Sequence, residues 1–84
     1  MEQAELVKSV LLRNISQADS VQLDACWSIL KYKEIGIYRK VACLCSLFNL
    51  NFEEVRAELP QDSEGRLLDY KNRHLIHDAL IIAS

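Results

Sequence analysis

The chain predicts an all-α fold, a compact bundle of four to five helices around one buried central helix at about residues 37–48. Three observations carry that reading. Two glycines and one proline in 84 residues leave little material for turns, which favours a few long helices over many short strands. Apolar residues recur at helical spacing, and no strand-like alternation competes with them. Finally, Val41–Phe48 is apolar at every position but Ser46, and a helix apolar all round is one that other helices cover.

The length predicts a single domain over residues 1–84. A chain this short buries only about 60–65% of its unfolded surface, so modest stability and partner-assisted folding are expected.

Taken in order, residues 2–14 place Leu6, Val7, Val10, Leu11 and Leu12 at helical spacing, with Asn14 as a stop. Ser16, Asp19 or Ser20 can cap a second helix running to about Lys33, because a side-chain oxygen there accepts an otherwise unpaired amide hydrogen. That helix is expected to bury Leu23, Cys26, Ile29 and Leu30, with Trp27 at the margin. Gly36 follows as a left-handed closing residue. The central helix then runs from Ile37 to Asn49, a residue type that also tolerates the left-handed conformation.

Asn51, with Glu54 three later, predicts a capped start to a short helix that turns Val55 and Leu59 inward and stops before Pro60. Residues 61–65 form the most loop-like stretch, from which Asp62 or Ser63 could cap the last helix. That helix, about Arg66–Ile82, has a core stripe of Leu68, Leu75, Ile76, Ala79 and Ile82. Its other face holds Tyr70, His74, His77 and Ile81, where a solvated helix would carry Lys, Glu and Gln.

Ten basic and twelve acidic residues, with a pI near 5.6, do not make the basic footprint of a general nucleic-acid binder. Residues 1–49 carry six basic and five acidic side chains, residues 50–84 four and seven. Cys26, Cys43 and Cys45 cannot all pair within one chain, and they read as small core residues of a reducing compartment. Glu2, Glu5 and Lys8 near the amino terminus argue against a signal peptide, and no apolar run approaches the roughly 20 residues that span a bilayer. A cytoplasmic location and no membrane partner are expected.

Cys45, Asn49, Leu50 and Val55 stand where a helix-turn-helix has its small residue, its tight-turn glycine, the apolar residue after it and a Val or Ile. Over Lys40–Leu59 the chain therefore resembles that family, with Cys for the usual Ala and Asn for Gly. The resemblance implies a recognition helix offering Asn51, Phe52 and Arg56 to bases, although Glu53, Glu54 and Glu58 would be repelled by phosphate. A second cluster, Lys31, Tyr32, Lys33, Tyr38, Arg39 and Lys40, mixes cations and rings in a way that suits phosphates or an acidic partner. The helix dipole explains Lys31 and Lys33 at a helix end, but not Arg39 and Lys40 at the next start. Tyr32, Gly36 and Tyr38 resemble the spacing of one tetratricopeptide hairpin, but nothing repeats at that period.

His74 and His77 share a helix face but lack a CxxC or HExxH companion, so no metal is expected. No Gly-rich phosphate loop or exposed nucleophile–base pair is legible, so the chain reads as non-enzymatic, without cofactor and with no small-molecule substrate evident. The sequence thus predicts a small regulatory or adaptor protein acting by protein–protein contact, as a homodimer or in a complex. The interface is expected at Tyr70, His74, His77 and Ile81, with histidines that make it sensitive to mildly acidic pH. The alternative is a helix-turn-helix regulator, its phosphate contacts at Lys31, Lys33, Arg39 and Lys40.

Overall fold

Ser9 is where the first expected helix divides. Its backbone is extended, its buried hydroxyl accepts from the Leu12 amide at 3.2 Å, and Val10 behind it receives a carboxylate from elsewhere in the fold. A serine that bonds its own backbone competes with the helix it sits in. The division also solves a packing problem. Leu6 and Leu11 are five apart, on different faces of an unbroken helix, yet both are buried.

The computed structural model describes residues 3–84 and contains six helices: α1 (Gln3–Lys8), α2 (Val10–Ser16), α3 (Ser20–Lys31), α4 (Ile37–Leu47), α5 (Phe52–Glu58) and α6 (Asp69–Ala83). The expected helix start at residue 2 lies outside the described residues. The fold is a helical bundle without a strand among the described residues, as the composition implies.

Asp19 caps α3 through a reciprocal pair with Gln22, each side chain accepting from the other's amide. The helix ends at Lys31, two residues earlier than expected, and of its inward positions only Cys26 is fully buried. Gly36 is not a left-handed closing residue. Its φ is −86°, and it serves as the extended residue that begins α4.

Asn49 does take the left-handed conformation, at φ 57°. Leu50 donates back to the Cys45 carbonyl at 2.8 Å and Asn49 to Ser46 at 3.2 Å, the paired closure typical of a left-handed helix end. The α4 helix buries Ile37, Lys40, Val41, Leu44 and Cys45 on one face, while Cys43 and Ser46 remain exposed. The high apolar content of 41–48 therefore overstates its burial, because cysteine and alanine tolerate a wet face.

Asn51 caps α5 as expected, accepting from the Glu54 amide at 3.0 Å, and Val55 and Leu59 face the core. Residues 60–68 fold into a tight loop closed by an isolated Gln61–Leu67 bridge. Asp62 does not cap α6 but holds this loop, accepting from the amides of Glu64 and Arg66 and from the Arg66 guanidinium. These bonds hold its carboxyl below the usual value.

The last helix starts three residues later than predicted, at Asp69. Its buried stripe is Asn72, Leu75, Ile76, Ala79 and Leu80, whereas Leu68 and Ile82 are exposed. The stripe is the same face shifted by part of a turn. Buried Asn72 donates to the carbonyls of Pro60 and Leu68, at 2.8 and 2.7 Å, and so pins the loop to the helix. Against α6 pack α2, α3 and α4, while α1 covers α2 and α5 lies between α2 and α4.

Candidate functional site

The outer side of α6 and the end of α3 form one surface. Trp27 meets His77 edge-on at 5.4 Å, and Leu30 shares a hollow with Tyr70, Arg73, His74 and His77. These pairings set α3 and α6 antiparallel, so the basic turn after α3 lies beside the first half of α6.

Tyr70, His74, His77 and Ile81 are all exposed along this helix, Tyr70 at 74% and Ile81 at 54%. Tyr70 and His74 stack at 5.6 Å, which presents them as one aromatic ledge. Both histidines face one carboxylate: His74 Nε2 and His77 Nδ1 each lie 4.0 Å from Asp78.

The basic cluster of the sequence divides. The ammonium of Lys31 sits 5.3 Å over the Trp27 ring, and Lys33 is exposed at the rim of a cleft of about 430 Å³. Arg39 is exposed on α4. Lys40 is not a surface contact. It is buried at 5% exposure, and its ammonium donates to the carbonyls of Ile29, Leu30 and Tyr32 at the end of α3. A charge that sequence reading assigned to a ligand is spent on a helix terminus.

The three residues expected at bases are likewise engaged within the chain. Asn51 is the cap of α5, and Phe52 packs against Tyr38 at 4.7 Å. The Arg56 guanidinium donates to the Gly65 carbonyl at 2.7 Å and to Glu53 at 3.0 Å. Glu58, an expected repulsive neighbour of phosphate, accepts from the Val10 amide at 3.0 Å.

Arg73 was missed by sequence reading, although it lies between Tyr70 and His77 on the same face, and it acts with Asp69. Together they line the 430 Å³ cleft with Lys31 and Lys33 and pair with each other at 2.9 Å. Cys26 and Cys45 are buried and their thiols are pushed up to about 11, whereas Cys43 is exposed instead of facing the core. No three His, Cys, Asp or Glu side chains among the described residues converge as metal ligands, and no helix among them is long and apolar enough to cross a membrane. Comparison with protein-family models, with curated proteins and with solved structures finds no match.

Proposed function

We propose that this chain is a non-enzymatic regulatory or adaptor protein of the cytoplasm that works by protein–protein contact through the outer face of α6. One observation carries the reading. Tyr70, His74, His77 and Ile81 form an exposed aromatic and aliphatic stripe on a helix whose opposite face already fills the core. Ile82, next to Ile81, is exposed as well, which adds to the apolar area available to a partner. Three free thiols support a reducing setting.

Light scattering over a concentration series tests the homodimer form. The expected mass is twice 9.7 kDa, falling to the monomer value in Ile81→Asp. A dimer that survives Ile81→Asp removes this face as the interface. A monomer at every concentration, with no partner retained by the wild-type chain and lost by Ile81→Asp, removes the reading.

A helix-turn-helix regulator is the second reading, favoured by the left-handed Asn49 turn between α4 and α5. It has less on its side, because Asn51, Phe52 and Arg56 already have partners within the fold. A mobility shift on duplex DNA that weakens steeply with salt would reverse this ranking.

A further inference from the structure

The cleft beside the basic turn and the hollow beneath the aromatic ledge share Leu30 and Arg73, so they form one groove along the α3–α6 seam. We propose that this groove docks a carboxylate-rich peptide segment of a partner protein, a deepening that rests on the protein–protein reading above.

The floor of the groove is prepared for an anion. The end of a helix normally carries partial negative charge on its unpaired carbonyls and repels anions. Here the Lys40 ammonium takes up the carbonyls of Ile29, Leu30 and Tyr32 at the groove's base, which cancels that field.

The walls add cations that are free to exchange partners. Lys33 is exposed and has no ion-pair partner among the described residues. Arg73 is half exposed, and its bond to Asp69 is of the solvent-exposed kind that contributes little. A peptide carboxylate can therefore replace Asp69 at little net cost. Lys31, held over Trp27, supplies a third positive charge. Only Asp69 opposes them among the lining residues, on a chain whose net charge is −2. The adjoining hollow, about 260 Å³ between Leu30, Tyr70, His74 and His77, takes an apolar side chain of the same segment.

A peptide fits better than a nucleic acid. Nucleic-acid binders spread basic residues along a face, whereas these three surface cations sit in one short groove with Asp69 and Asp78 beside it.

A fluorescein-labelled peptide of alternating glutamate and leucine, followed by anisotropy at low salt, tests the proposal. It should bind about tenfold or more tightly than the same peptide with glutamine for glutamate, and added salt should weaken it. Lys33→Glu with Arg73→Glu should reduce binding at least about tenfold. Lys33→Glu alone, at an exposed turn position, should give a partial loss with an unchanged melting curve, which guards against misfolding. Equal affinity for the two peptides, undiminished binding by the variants, or no peptide binding at all overturns the proposal, as does preferential binding of duplex DNA or RNA. Ile81→Asp separates the two readings. Because Tyr70, His74 and His77 belong to both surfaces, a second copy and the peptide compete for them. Lost self-association with peptide binding retained or strengthened supports both, whereas an unchanged mass counts only against the α6 interface and leaves the peptide titration to decide the groove.

Discussion

The ammonium nitrogen of Lys40 lies 2.7 Å from the carbonyl oxygen of Leu30 and 3.0 Å from that of Ile29, joining the start of one helix to the end of another. Tyr32 supplies a third carbonyl. Burial pulls the lysine pKa below its ordinary value, and Arg73 adds to that pull while Asp69 opposes it. Three carbonyl acceptors require three N–H donors, which only the charged form has, so Lys40 is an ammonium at neutral pH.

Removing that ammonium leaves several α3 carbonyls in a poorly hydrated place. Lys40→Met should therefore cost about 2 kcal/mol, the scale of hydrogen bonds to a charged group. For a domain of this size that is a fall of roughly 8–16 °C in Tm. Lys33→Met, on the exposed turn, should stay within about 0.5 kcal/mol. Equal melting of the two variants would show that Lys40 contributes nothing net, its desolvation cancelling its bonds.

Glu58 and Ser9 act at the opposite kind of helix end. The carboxylate accepts from the Val10 amide and the Ser9 hydroxyl from the Leu12 amide, so two donors at the start of α2 are satisfied from different parts of the chain. Ser9→Ala and Glu58→Ala should each cost about 1 kcal/mol. Chemical denaturation of the single and double variants checks this. Because both hold one break between α1 and α2, the double variant should lose less than the sum of the two. Strict additivity would mean that the caps act independently.

These two cross-helix caps mark the limit of what was legible in the sequence. Helical spacing located the helical segments but merged α1 and α2 into one that stopped at Asn14. Local chemistry found the Asn49 and Asn51 ends and had Asp19 among three candidate caps, because each of those signals acts within a few residues. Lys40 and Glu58 act across roughly ten and fifty residues, so nothing near them in the chain announces their roles. Both looked like surface charge. The same distance effect hid the groove. Tyr70, His74 and His77 were visible as an odd helix face, and Lys31 and Lys33 as a basic turn. Only the antiparallel packing of α3 on α6 brings them together and adds Arg73. Ser9 was overlooked for a different reason: a serine inside an apolar run weakens a helix without forbidding it, and the tertiary contacts decide.

The three thiols offer a test of burial that needs no knowledge of function. Cys43 is exposed, whereas Cys26 and Cys45 are buried and pushed from 9.0 up to about 11 by loss of hydration. A disulfide reagent at pH 8 should therefore label one thiol quickly in the native protein and all three in guanidinium, with the fast phase absent from Cys43→Ser. The same shifts predict a pH dependence. A thiol whose pKa is higher folded than unfolded contributes stability that is intact below pH 9, because both states are then protonated. As pH rises from 9 to 11 the unfolded thiols ionise first, and stability falls by on the order of 2 kcal/mol for each. Lys40 shifts in the opposite direction, so stability measured on wild type alone would mix the two effects. Comparison with a Cys26→Ala, Cys45→Ala chain removes that ambiguity, since both retain Lys40. The variant should be less stable at pH 7, from the cavities left behind, yet lose less between pH 9 and 11. Parallel profiles over that window would place both thiols in contact with water.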